Sequence, residues 1–145
     1  MWDSKAELYS DDSGQAVTGI EDPDSPYTLT VSEKNGMFTF SVADAKGKTG
    51  KLAFARPKNL DSLVVDPLDA PNTGNGPTLY KEWRLDAPVK GTGIFQKGLG
   101  KNANAKLVLH GRGLRCDAAD MSTHWSLHVK SGASHYTFFG KLRTK

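Results

Sequence analysis

The chain has 145 residues, one cysteine, 37% hydrophobic residues and a formal net charge of +3. A lone Cys116 makes no intramolecular disulfide, which excludes a small disulfide-stapled scaffold, and a chain of this length buries about two thirds of its unfolded surface without staples. No run of about eighteen apolar residues is present, which excludes a membrane-spanning helix.

A single domain over residues 1–145 is therefore expected. Met1-Trp2-Asp3-Ser4 lacks the basic start and apolar stretch of an export signal, although a trimmed secreted or periplasmic form would carry the same residues, so the compartment is left open. The small net charge hides a division. Residues 1–72 hold seven Lys and Arg against twelve Asp and Glu, and residues 73–145 hold twelve against four. The basic second half suits phosphate or sulfate polymers; equally, two oppositely charged halves of one fold attract each other.

In chain order, the first strand is expected at Ala6 to Tyr9 and a second around Ala16 to Ile20. Glu21 to Pro26 reads as an acidic loop stiffened by two prolines. Tyr27 to Phe40 (YTLTVSEKNGMFTF) alternates apolar and polar residues on either side of Asn35-Gly36, the pattern of a β-hairpin. A two-residue turn at Asn35-Gly36, or a four-residue loop at Glu33 to Gly36, keeps Leu29 and Val31 on the face of Phe38, Phe40 and Val42, since both preserve parity. Ala43 to Gly50 is a polar connection. Lys51 to Ala55 is a strand ended by Pro57, and Leu60 to Val65 is a short apolar piece, helical turn or strand. Asp66 to Pro77 (DPLDAPNTGNGP) is too rich in Pro, Gly and Asn for a regular element and is a candidate functional loop.

Further strands are expected at Thr78 to Leu85, with Trp83 in the core, at Val89 to Phe95 and at Lys106 to His110. Ala118 to Met121 suits a helical turn. Trp125 to Phe138 (WSLHVKSGASHYTF) aligns with Tyr27 to Phe40 without a gap and reads as the same hairpin. Here a loop of Ser131 to Ser134 sets Val129 opposite Tyr136 and Leu127 opposite Phe138. The expected fold is all-β with little helix: an antiparallel β-sandwich or closed β-barrel of about nine to eleven short strands. A β-trefoil also fits the length, but its middle repeat would fall near Thr78-Leu79-Tyr80, where no copy of the hairpin stands out.

Catalytic signatures are missing. His124 and His128 have the spacing of a zinc protease helix, but the general-base glutamate is absent and the context is β. His110, His124 and His128, with His135, are candidate metal ligands if strands converge them. Gly91-Thr92-Gly93 and Gly98-Leu99-Gly100-Lys101 do not match a P-loop, and no Gly-x-Ser-x-Gly elbow is present. Cys116, between Arg115 and Asp117, would be a nucleophile only beside a histidine. Asp11-Asp12 and Asp22 with Asp24 do not match an EF-hand loop.

The basic segment carries more weight. Lys97, Lys101, Arg112, Arg115 and Lys130, with Lys106 nearby, are candidates for one cationic patch, and an exposed Tyr80 or Phe139 would stack on a base or sugar. The reading is a non-enzymatic binding module, without a cofactor, whose partner is a protein or an anionic polymer. The alternative is a barrel that carries a small apolar ligand between Phe40, Trp83, Trp125 and Phe138. A third is a metal-dependent enzyme built on the histidines.

Overall fold

Alternation of apolar and polar residues decides the architecture, because each strand must bury one face and wet the other. The computed structural model describes residues 2–10, 27–58, 61–65, 79–113, 122–132 and 134–143. Among these lie β1 (Lys5–Ser10), β2 (Tyr27–Lys34), β3 (Met37–Ala43), β4 (Thr49–Ala55), β5 (Asp61–Val65), β6 (Leu79–Gly93), β7 (Asn104–Gly113), β8 (His124–Lys130) and β9 (His135–Lys141). The expected strand at Ala16 to Ile20, the loops at 21–26 and 66–77 and the helical turn at Ala118 to Met121 lie outside the described residues.

All the pairings are antiparallel, and the sheet order β4-β3-β2-β1-β9-β8-β7-β6-β5 is joined by a further pairing of β4 with β6. Eight strands thus form a nearly closed barrel, with β5 lying against β6 outside the ring. The sandwich and the trefoil are not adopted: sequence neighbours pair as a meander, and β1 meets β9 to bring the two ends of the chain together. The seam is thinnest at β1 and β2, which share two residue pairs, Lys5 with Thr28 and Ala6 with Tyr27.

The two predicted β6 segments are one fifteen-residue strand. Its first half pairs with β5 (Asp61 to Val65 against Arg84 to Tyr80), and its second half pairs with β4 (Gly50 to Phe54 against Gly93 to Val89). Pro88 sits between these two stretches. The Val89 N–H donates to Ala103 on the β7 side, whereas the Ile94 N–H donates to Thr49 on the other. By alternation the donor that Pro88 lacks would face the gap between β5 and β4, where no ladder bond is lost.

An eight-stranded barrel is just wide enough for side chains to fill it. Tyr27, Phe40, Phe54, Leu52, Leu107, Trp125, Leu127, Val129 and Phe138 are each no more than 1% exposed. Several rings meet edge-on, Trp2 lying 5.3 Å from Phe40 and 5.5 Å from Trp125 and Tyr27 5.6 Å from Phe138, while Phe40 and Phe54 stack at 5.7 Å. One end of the barrel is plugged by the β6–β7 connection, which turns Phe95 and Leu99 inward. Gly91 makes room for that plug, since a Cβ there would collide with the Leu99 side chain and come within 2.9 Å of Phe95.

Both hairpins form, but in different registers. Asn35-Gly36 is a two-residue turn with φ of 52° and 71°, so Val31 pairs with Phe40 and Leu29 with Val42. In the second hairpin a four-residue loop pairs Val129 with Tyr136 and Leu127 with Phe138, as expected. The gapless sequence likeness therefore does not extend to the register. Trp83 also departs from expectation: it faces inward opposite Leu109 but is half-buried, at the end of the barrel away from the β6–β7 connection.

Candidate functional site

On β6 to β9 the residues that alternate with the core form one outward face. The pairings arrange it in transverse rows: Asn104 with Lys130 and His135; Asp86 with Lys106, His128 and Thr137; Arg84 with Val108, Ser126 and Phe139; Glu82 with His110, His124 and Lys141. The face is not uniformly polar. Val108 is 9% exposed, whereas Phe139 is 38% exposed, an aromatic ring offered to solvent.

A groove of about 720 Å³ crosses the first two rows, lined by Asp86, Asn102, Asn104, Lys106, His128, Lys130, Ser131, Gly132 and His135. A shallower depression of about 440 Å³ continues it through Lys106, His128, Val108 and Ser126 towards His110. In the groove itself a pair of lysines stands against one carboxylate, and the Lys106–Asp86 contact is long, 3.8 Å, with both side chains half exposed. A contact of that kind is screened and weak, so Lys106 keeps most of its field for a ligand.

The groove has a fixed wall. Ser134, buried, donates its hydroxyl to the Gly98 carbonyl at 2.9 Å, and Ser131 donates to the same carbonyl at 3.2 Å. The β8–β9 loop is thereby fastened to the β6–β7 connection, which carries Lys97 and Lys101. His128 is held between hydroxyls, with Thr137 Oγ1 2.9 Å from Nδ1 and Ser126 Oγ 3.1 Å from Nε2.

The predicted cationic set is divided by this geometry. Lys97 and Lys101 are exposed on the connection at the plugged end, and Lys130 lines the groove. The backbone of Arg112 pairs with Tyr80, eight residues along β7 from Asn104, a separation of roughly 27 Å at strand rise. Arg112 therefore does not join Lys130. Arg115 and Cys116 lie outside the described residues, as does the side chain of Tyr80. His135, expected only as a metal ligand, joins Asn102, Asn104 and Asp86 in the groove, and the sequence does not single out those three as binding residues; the outward alternation of β7 (Asn104, Lys106) and β8 (His128, Lys130) is the signal that could have found it.

The histidines divide too. His110 and His124 face each other across β7 and β8 with ring centroids 5.7 Å apart, while His128 lies four residues further along β8, roughly 13 Å away. A three-imidazole centre of His110, His124 and His128 is not assembled. Among the described residues no group of three or more His, Cys, Asp or Glu is placed to hold a metal.

A second concavity, of about 430 Å³, lies at the end away from the β6–β7 connection between Trp2, Phe38, Trp83, Leu85 and Leu109, with Glu33 and Arg56 at its rim. Those two are joined at 3.0 Å. Among the described residues no helix is long and apolar enough to cross a membrane. No protein-family model matches the chain, and comparison with curated proteins and with solved structures found no match.

Proposed function

We propose that the chain is a non-enzymatic binding module that holds a segment of an anionic polymer in the groove across β6 to β9. The observation that carries the reading is the convergence of Lys106 and Lys130, on adjacent strands, in one amide- and imidazole-lined groove with a single carboxylate. Lysines supply a long-range field, Asn102 and Asn104 supply directional donors, and the fastened loop walls keep the groove preformed. Phe139, exposed one row beyond His128 and Thr137, offers a face on which a sugar ring or base would stack.

The test is titration of the untagged protein with heparin and with a single-stranded oligonucleotide at several salt concentrations. Binding by counterion release weakens steeply between about 50 and 200 mM salt, with each lysine in contact contributing about one unit to the logarithmic slope. Lys106→Glu with Lys130→Glu is expected to lower affinity at least tenfold, and Arg112→Glu to change it less than twofold. Affinity indifferent to salt, or equally reduced by all three changes, would remove the groove as the site.

A second reading rests on the concavity at the end of the barrel away from the β6–β7 connection. Phe40, Trp125 and Phe138 are too tightly packed to line an empty interior, so a small apolar ligand would sit between Trp2, Trp83 and Leu109 in that concavity. Quenching of tryptophan fluorescence by a fatty acid, abolished in Trp83→Ala, would favour it over the groove.

A further inference from the structure

We infer that His110 and His124 form a two-imidazole chelate for a first-row transition-metal ion of the zinc, copper and nickel class, on the outer face of β7 and β8. The pairing places the two residues directly opposite each other, so the backbone ladder fixes their separation before any metal arrives. Their centroids are 5.7 Å apart and their planes 31° from parallel. Imidazoles bound to one tetrahedral ion at ~2.0–2.1 Å per bond have centroids roughly 5–6 Å apart. The pair therefore stands at chelating distance.

The surroundings favour ligation. Thr123 Oγ1 lies 2.9 Å from His124 Nδ1. When Nδ1–H donates to that oxygen, the neutral tautomer leaves its lone pair on Nε2, the arrangement by which an outer partner orients a metal-bound histidine. Both rings are half-buried, which keeps them ordered yet open to solvent on one side. Glu82 is opposite His110 in the same row but its carboxylate is already paired with Arg84 at 2.6 and 3.0 Å, and Lys141 is opposite His124, so the two imidazoles are the donors of that row. With two protein donors the remaining positions go to water or to an incoming ligand, so the site is open in the coordination sense. Soft thiolate-seeking ions and hard calcium or magnesium are poor matches for two nitrogens. This inference does not depend on polymer binding by the lysines.

The experiment is calorimetric titration of the untagged protein, in chelator-free buffer, with zinc, nickel and copper(II) salts, beside His110→Gln, His124→Gln and His128→Gln. One ion per chain is expected for the native protein, weakened at least tenfold in each of the first two variants and less than twofold in the third. Because a variant can lose ions by losing its fold, the native protein is also examined by NMR with substoichiometric copper(II). Broadening confined to the His110 and His124 rings and their neighbours is the expected result. Absence of saturable binding up to millimolar metal, or broadening centred on His128 and His135, overturns the site.

Discussion

The Ser134 hydroxyl is buried and donates to the carbonyl of Gly98, tying the β8–β9 loop to the connection that plugs the barrel. Two serines of that one loop thus share the acceptor, since Ser131 reaches the same oxygen. A buried hydrogen bond contributes about 1 kcal/mol, and an acceptor left without partners costs about 1–3 kcal/mol. Ser134→Ala is expected to cost about 1 kcal/mol, because Ser131 still serves Gly98. The double change of Ser131 and Ser134 to Ala should cost more than twice as much. Urea unfolding of the three proteins, with unchanged slope, measures the excess.

At the first hairpin, Gly36 has φ of 71° and a Cβ there would meet nothing within 4 Å. Any cost of Gly36→Ala is therefore conformational and not steric crowding by neighbours. The left-handed region costs a non-glycine residue roughly 1–2 kcal/mol. Gly36→Ala should lower the unfolding free energy by about that amount, while Asn35→Gly, which relieves the same strain at φ of 52°, should be near neutral. A larger loss at Asn35 would mean that its side chain, not its backbone, sets the turn.

Strand positions and inward faces were legible because period two is local. Leu127, Val129 and Phe138 declare their side within a few residues of sequence, and the Ser131 to Ser134 loop length then fixes their pairing. What joined β4 to β6 was not legible. That contact depends on Gly50 and Gly91 letting Ile94, Phe95 and Leu99 close over the end, and nothing in Gly91-Thr92-Gly93 announces which residues will approach. The same holds for the site. Lys106 and Lys130 lie far apart in sequence and meet only through the β7–β8 register, whereas Arg112, close to Lys106 in sequence, is carried away along the strand. Sequence proximity of basic residues was therefore a misleading guide to their clustering.

Asp3 links the chain's two ends, its carboxylate accepting from the Ser4 N–H at 2.6 Å and from the Arg143 guanidinium at 2.9 Å. The Ser4 amide above all holds its carboxyl below the ordinary carboxylate range, against the opposing effect of desolvation, with Arg143 and Lys5 adding to the lowering. A carboxylate depressed on folding contributes stability above its unfolded pKa and loses it as pH falls through the folded value. Asp3→Asn should therefore be slightly less stable than the native protein near neutrality. The difference should close as pH falls below about 4. Melting temperatures compared across that range test the sign; a difference that widens on acidification would contradict it.

Phe40 and Phe139 are the same residue type on opposite sides of the barrel wall. Phe40 is 1% exposed and touches Trp2, Phe54 and Trp125, with centroids 5.3 to 5.7 Å apart, whereas Phe139 is 38% exposed. Removing a buried phenylalanine costs about 3–5 kcal/mol, the lost transfer energy plus the cavity left behind. Folded domains are stable by only about 5–15 kcal/mol in all. Phe40→Ala should accordingly remove about a fifth or more of the stability and free the Trp2 and Trp125 rings to move, visible as a changed near-ultraviolet circular dichroism. Phe139→Ala should cost clearly less than Phe40→Ala, because Phe139 is already 38% exposed and its removal leaves no closed cavity inside the barrel. If polymer stacks on that ring, the same change should weaken heparin or oligonucleotide binding in a protein that is still fully folded at the temperature of the measurement. Equal stability losses at the two positions would place Phe139 in a packed environment and remove it from the binding face.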